Sequence, residues 1–441
     1  MLRASTTVVA FVAAFLHAAE ASSVLSTFNP GAFVIRRQIG QLGYATEVEW
    51  AYRDSETGTP AAPNPLDPNQ PKRTVENSGA AVRLFDARLD DGTRVLLKEF
   101  IGEACEIGEN ECATYELLYQ RALALAQGSQ LPAAPPSEIG RLLGSMRADS
   151  SFASDVFVAE WEAALPNIMP PSPNGFWLVF QWENLRTVSN FPDAEQGAAG
   201  LFDVAGKQAE QARRRFVKAA AQRCLEVIAW LHGQGIAHRS LGGASLLLNT
   251  YDQRTPPKEV AVSVIDLGFA TTAARIAPEE VGAAMQRGAK SPLDVIPFLC
   301  RADDLHALAY ILLELILSSS VAAPAPAASG LVSLLQASDV FGGGGAAGGG
   351  DPRARAEPTP PTDLQSLKRL VEDVFDGDVC EGFRGYCVEE PSWAGAVELL
   401  DEADGAGWRV VQALVDCRDA SSERCQDVSA ERLLESPWFA A

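Results

Sequence analysis

The stretch Ile236 to Asn249, IAHRSLGGASLLLN, constrains this chain more than any other. Ahead of it Phe216, Ala220, Cys224, Ile228 and Leu231 recur at the spacing of one helix face. Gly233 and Gly235 stop that helix. The chain then presents His238-Arg239-Ser240 and returns to an apolar run, Leu246-Leu247-Leu248, which reads as a short buried strand. A polar loop, Asn249 to Lys258, follows. Val260 to Ile265 is the next apolar strand, and it stops abruptly at Asp266-Leu267-Gly268. A long helix and two short buried strands, with polar residues set at their ends, spend core residues on holding polar groups in place.

The first polar segment resembles the catalytic loop of protein kinases, written H-R-D-L-K-x-x-N, and the second resembles their strand and metal-binding turn, D-F-G. The loop departs from the family where the chemistry happens. Ser240 stands where the base Asp belongs, Gly242 where Lys is usual and Ser245 where the metal-holding Asn belongs. A serine hydroxyl is not ionised at neutral pH and cannot serve as a base. Leu267 for Phe is a mild change, because that side chain packs and does not react. Asp266 keeps the hard oxygen that Mg²⁺ takes. The resemblance implies structural roles for His238 and Arg239, with Arg239 able to pair with a phosphorylated activation segment.

Upstream, Phe33-Val-Ile35, Ile39-Gly40-Gln-Leu-Gly43 and Val48-Glu-Trp50 resemble a first strand, a glycine loop and a second strand. Glycines there let backbone amides approach phosphates. Leu42 and Ala45 replace two of the usual glycines, so Gly40 and Gly43 are the candidates. The tract 54–78, rich in Pro and Asn, reads as an insertion, and a second proline-rich break lies at 129–150. Between them, Ala81–Phe85 and Arg94–Phe100 alternate and are joined by Asp90-Asp-Gly92, the pattern of a hairpin. The second of these strands resembles the V-A-I-K strand, which makes Lys98 the phosphate-binding candidate. Its partner is Glu111, with Glu109 and Glu116 as alternatives on the same acidic helix. Asp155–Val158 and Phe176–Phe180 read as the last two strands, and Phe180–Asn184, with Gln181 and Trp182, as the adenine-contacting hinge.

Downstream, Asp304-Leu-His-Ala-Leu-Ala-Tyr-Ile-Leu-Leu-Glu-Leu315 resembles the central helix of the kinase large lobe. The resemblance gives Asp304 the task of holding the catalytic-loop backbone. The near-continuous apolarity reads as a helix buried on all sides. His306 there reads as a packed helix histidine. Ala277-Pro-Glu279 matches the A-P-E string that closes an activation segment, with Pro292 as an alternative end. Arg424 is the candidate partner of that Glu, and the ending Ser436-Pro-Trp-Phe439 resembles the family's terminal tail. Residues 318–362 are low-complexity Ala, Pro and Gly and read as a flexible insertion.

The formal charge of −21 opposes nucleic acid and anionic membrane as partners. It does not oppose a nucleotide, whose phosphates a local Lys, amides and Mg²⁺ can offset. Met1-Leu-Arg3, the apolar Val8–Leu16 and Ala19-Glu-Ala21 read as a signal peptide over 1–21. The expected route is the secretory pathway, or a plastid reached through it, with no membrane span after cleavage. Eight Cys permit disulfides in that setting, with Cys380/Cys387 and Cys417/Cys425 as candidates, and none is spaced as C-x₂-C.

The expected fold is α+β, a two-lobe protein-kinase-like fold. Its small β-rich lobe covers 31–185 and its larger, mainly helical lobe 186–441. The implied cofactors are ATP and Mg²⁺. The expected function is that of a pseudokinase, with a weakly active Ser/Thr-type protein kinase or a scaffold that binds no nucleotide as alternatives.

Overall fold

The computed structural model describes residues 24–47, 75–129, 135–148, 154–166, 168–183, 186–191, 207–319 and 363–440. The expected signal peptide, Val48–Trp50 and nearly all of the 318–362 tract lie outside them. The chain divides into two units: residues up to Glu183 together with Leu267–Phe269, and Asn184–Asp266 together with Ala270–Ala441.

The first unit is built on a six-stranded sheet. Its strands are β1 (Ser26–Thr27), β2 (Phe33–Glu47), β3 (Val75–Leu89), β4 (Arg94–Ile101), β5 (Leu142–Arg147) and β6 (Phe176–Gln181), in the order β1-β5-β6-β4-β3-β2. All pairs are antiparallel except β1 with β5. The β3–β4 hairpin turns at the Asp-Asp-Gly seen in the sequence, where Asp91 accepts from the N–H of Thr93 at 2.8 Å. The alternation of β3, β4 and β6 fills one face with Phe85, Val95, Leu97, Trp177 and Val179. Phe85 stacks on Trp177 with centroids 5.5 Å apart.

Helix α1 (Ala104–Ser129) follows β4. Tyr115 of α1 meets Phe180 edge-on, and Tyr119 both donates to and accepts from the backbone of Leu142. Gly108 lets the helix dock: a Cβ there would stand 2.6 Å from the Phe100 ring.

Three local readings are corrected here. Gly40 and Gly43 lie within one continuous strand, not a turn. β3 is as long as β2 and gives both glycines ladder partners, Leu84 and Ala81, so the irregularities are absorbed as register shifts. The segment that joins these strands, 48–74, falls outside the described residues. Asp155–Val158 opens a helix, α2 (Asp155–Ala164), not a strand. Ser154 caps it by accepting from the N–H of Phe157, and Phe157 and Trp161, four residues apart, turn to the same core. The strand beside β6 is β5, which lies inside the proline-flanked 129–150 tract. In the same way β3 begins at Val75, inside the 54–78 tract.

The second unit is mainly helical. Helix α3 (Lys207–Gly233) leads to β8 (Ile236–Ala237); β7 (Arg186–Thr187), β9 (Leu246–Leu248) and β10 (Val262–Val264) form a three-stranded sheet, and β11 (Thr271–Thr272) pairs with β8. Helix α4 (Pro278–Gln286) begins at Ala277-Pro-Glu279, and α5 (Val295–Leu299) follows Pro292. A π-helical turn, Cys300–Leu305, runs into α6 (His306–Ser319), whose residues are almost all buried. Ser318 and Ser319, assigned above to the insertion, belong to this helix.

The last part holds α7 (Leu364–Arg369), α8 (Arg384–Glu389) and α9 (Ala394–Asp416). α9 is broken at Glu402–Gly405, where Ala403 and Asp404 have positive φ. Trp393, Trp408 and Trp438 are buried there, and the Trp438 indole donates to the Leu399 carbonyl at 2.9 Å.

Candidate functional site

In the first unit, β4 alternates, so Lys98 and Glu99 leave the sheet on opposite faces. The Lys98 ammonium lies 2.7 Å from Glu111 on α1, and the Glu111 side chain is 1% exposed. Of the three candidate glutamates, Glu111 makes this contact, while Glu109 pairs with Arg147. On the other face Glu99 is fully buried. It takes Arg83 Nε at 2.6 Å and the Ser172 N–H at 2.7 Å. Arg83 also donates to the carbonyls of Met169 and Pro170. Burial pushes the Glu99 carboxyl up, against the opposing pull of Arg83.

Leu267-Gly268-Phe269 belongs to this same unit. Asn110 donates to the Gly268 carbonyl at 2.8 Å. A Cβ on residue 268 would collide with the Ile107 Cγ2, so only glycine lets α1 approach this closely. Sequence reasoning passed over Asn110 and Ile107, although both flank the acidic residues it weighed.

At the expected hinge, the N–H of Gln181 donates to Arg141 and that of Trp182 to Arg94. The Arg94 guanidinium lies 3.7 Å from the centre of the Trp182 ring and also grips Asp86 with two bonds of 2.8 and 2.7 Å. That grip holds the Asp86 carboxyl below its usual range.

In the second unit, Asp304 is fully buried at the end of the π-helical turn. Its Oδ2 accepts the N–H of His238 at 2.8 Å and its Oδ1 the N–H of Arg239 at 2.7 Å. His232 Nε2 stands 2.9 Å from Oδ2. Sequence reasoning missed His232, one of only four histidines in the chain. His232, Asp304 and Cys300 bring ligand atoms within 4.8 Å of one another. The Asp304 oxygens already serve two backbone donors and His232, and burial pushes the Cys300 thiol well up. The cluster is suited to hydrogen bonding and poorly suited to a metal.

His238 is fully buried. Its Nε2 donates to the Ile265 carbonyl at 2.9 Å, and its Nδ1 accepts the Ser240 N–H at 3.3 Å. Arg239 has φ 66° and Asp266 has φ 62°, left-handed values that a non-glycine residue rarely takes. Such strain gathers where a side chain must be aimed.

Arg239 is engaged: it pairs with Glu280 and lies 3.8 Å from Asp303. Glu280 also accepts the Ala277 N–H at 3.2 Å, half of a capping box that Ala277 cannot complete. Burial works against the Glu280 charge, but the Arg239 and Ala277 bonds outweigh it and hold the carboxyl below its usual range. The expected Glu279–Arg424 pair is not formed among the described residues; the glutamate one position on takes Arg239 instead. Asp294, just past Pro292, pairs with Arg301 at 3.6 Å. His306 lies 2.8 Å from Glu372, packed in the helix.

Ser240 is exposed, and the chain carries no Asp or Glu from 227 to 251. Ser245 is buried, with its hydroxyl 3.5 Å from the Ser240 carbonyl. Asp252 lies beyond a strand and accepts the N–H of Arg254 in its own turn.

No family model matches the chain. No curated protein matches it in sequence. Many solved structures resemble it, two of them as follows. A Stt7 homolog from Micromonas algae, soaked with ATP, superposes with a TM-score of 0.47 at 17% identity, over 82% of this chain and 89% of that one. The Rad53 kinase domain with SCD2 superposes with a TM-score of 0.36 at 13% identity, over 83% and 87% of the two chains.

Proposed function

We propose that this chain, whose motif order and β-rich and helical units resemble those of protein kinases, binds ATP and Mg²⁺ but transfers phosphate poorly or not at all. It is a pseudokinase with a regulatory or scaffold role. The observation that carries this reading is the exposed Ser240 in a loop that contains no carboxylate. A missing general base costs about 10²–10⁴-fold in rate. Ser245 offers a neutral hydroxyl where a longer amide would reach a metal, so charge neutralisation weakens further.

Retained nucleotide binding rests on other residues. Lys98, oriented by Glu111, is the group for phosphate oxygens. Asp266, with its left-handed backbone, is the group for Mg²⁺, an ion commonly held by one or two carboxylates plus phosphate. Gly40 and Gly43 sit in a paired strand and support this reading less than Lys98 does.

The test is thermal unfolding of residues 22–441 with and without saturating ATP and Mg²⁺. A ligand at 100 times its Kd adds ~2.7 kcal/mol to the native state. That raises Tm by roughly 3 °C in a protein of this size. The shift should be lost in Asp266→Asn. No shift in a folded protein overturns nucleotide binding and leaves the scaffold reading.

A second reading, a slow Ser/Thr-type kinase, draws on the formed Lys98–Glu111 pair. Phosphoryl transfer is mostly positioning and electrostatics. Turnover of radiolabelled ATP that is abolished by both Lys98→Ala and Asp266→Asn would establish it.

The N-terminal pattern supports entry into the secretory pathway. A secreted or lumenal protein whose first residue is Ser22 would bear this out, and retention of Met1 in the mature protein would refute it. No helix among the described residues is long and apolar enough to cross a membrane.

A further inference from the structure

Cys417 opens the turn Cys417–Asp419 after α9, and Cys425 lies in the short helix Glu423–Gln426. Both side chains are fully buried, and their sulfurs stand 3.0 Å apart. The chain between them is tightly folded: the Ser422 N–H donates to the Asp419 carbonyl at 2.9 Å, and Ser422 caps the helix through the Cys425 N–H. Two sulfurs this close form a hydrogen-bonded thiol pair that is also placed to ligate a metal or to join in a disulfide. A metal would need further ligands. Among the described residues the cluster able to hold one is His232, Cys300 and Asp304, which includes neither sulfur. Among the described residues, the one other polar contact of either sulfur is that of Cys417 with the Ala413 carbonyl at 3.4 Å, inside α9.

We propose that Cys417 and Cys425 close a disulfide, a staple that holds the 417–425 segment against the end of α9. The sulfurs need approach by only about 1 Å to reach the ~2.05 Å of a bond. The hydrogen bond between them, then burial, push the Cys417 thiol up, while the same bond holds the Cys425 thiol down. In the open segment the thiolate of either cysteine attacks a small-molecule disulfide of the glutathione class, forms a mixed disulfide and releases one thiolate. The other cysteine, losing its proton, displaces the second thiolate. The protein pair loses two protons and two electrons, and the small disulfide is reduced to two thiols. Since both sulfurs are buried, the exchange takes place before this segment closes or while it opens locally.

The staple has a definite consequence. Arg418, Asp419, Ser422 and Arg424 lie between the two cysteines and line a cavity of about 470 Å³ with Asp376, Asp378 and Asp416. The turn Cys417–Asp419 also packs on the π-helical turn that carries Asp304. A bond at this point fixes one wall of the cavity and one support of the Asp304 turn.

The test uses the full chain, equilibrated in an oxidising glutathione buffer, blocked with a maleimide in denaturant and cut by trypsin without reductant. Expected is a linked pair of peptides, Val410–Arg418 with Cys425–Arg432, as the dominant form. Maleimide on both cysteines overturns the proposal. Reductant should lower Tm of the wild type by roughly 3 °C, the order that closing a loop of this size implies. Cys425→Ala should show no such loss. An equal loss in that variant places the reducible bond elsewhere and also overturns the proposal.

Discussion

The Lys98–Glu111 region and the 236–249 loop hold their polar groups by different means. The first is side chain on side chain: an ammonium and a carboxylate, both nearly buried, each the other's partner at 2.7 Å. Remove either and the other loses a buried counter-charge at 2.7 Å. The second is side chain on backbone: Asp304 holds the N–H groups of His238 and Arg239 and touches nothing at residue 240. The scaffold of the loop is therefore indifferent to whether residue 240 is an acid or a serine. Chemistry can be deleted from such a loop without loosening it. In the Lys98 region the same kind of deletion would cost stability.

Restoring the acid should expose this difference most strongly. Ser240→Asp combined with Ser245→Asn should raise phosphate transfer by about 10²–10⁴-fold, the scale of a general base. The melting temperature of Ser240→Asp alone should stay within a degree or two of the wild type, while the larger amide at the buried position 245 should cost about 1–3 kcal/mol. Scintillation counting on a generic protein acceptor measures the first and calorimetry the second. An unchanged rate would mean that more than these two side chains separates the loop from an active one.

Lys98→Met should lose about 3–5 kcal/mol in urea unfolding at pH 7, because it leaves Glu111 buried without its counter-charge. A loss below ~1 kcal/mol would put the pair in the class of surface ion pairs and dissolve the contrast. Asp304→Asn should cost somewhat less, about 2–3 kcal/mol, since an amide oxygen still accepts one bond of the charged set. Ser240→Ala should stay within about 0.5 kcal/mol.

A further small effect concerns pH. Glu280 is held below its usual range, so its contribution is fully present above the unfolded value of ~4.3 and is lost as pH falls through the lower folded one. Its side chain is 37% exposed, and solvent keeps the contribution under about 1 kcal/mol. Glu280→Gln should be the less stable protein above pH ~5, and the two curves should converge in acid. Parallel curves throughout would show that Arg239 draws nothing from this carboxylate.

How much of this was legible depended on length and on local competition. The fold class was readable from long signals: the amphipathic run into Leu231, the unbroken apolar run after Asp304, the hairpin around Asp-Gly. Short signals failed. The Val-Phe-Val of 156–158 has the composition of a strand, yet Ser154 caps it and Trp161 extends it with helical spacing. β5 is six residues with a glycine inside it, set between proline-rich tracts, and no period can show through so little chain. Gly40 and Gly43 were read by analogy with a turn, but a fifteen-residue partner strand decides their conformation.

At the site, residue types were legible and partners were not. Nothing in the order of residues says that Arg239 takes Glu280 and not a neighbour, or that Glu109 is drawn off by Arg147. Those choices are made by helix faces that meet only after folding.

The close approach of Gly268 to α1 has a consequence for how this chain can vary. The obstacle to any larger residue at 268 is above all one methyl group, the Cγ2 of Ile107; the next atom, the Ile107 carbonyl oxygen, would lie 3.2 Å away. The glycine is thus required by a pair of positions, not by one. Gly268→Ala alone should cost about 1–3 kcal/mol through overpacking. Ile107→Ala removes the obstructing methyl and should recover much of that loss. A descendant of this sequence could abandon the glycine of its D-L-G turn, provided that position 107 changed first.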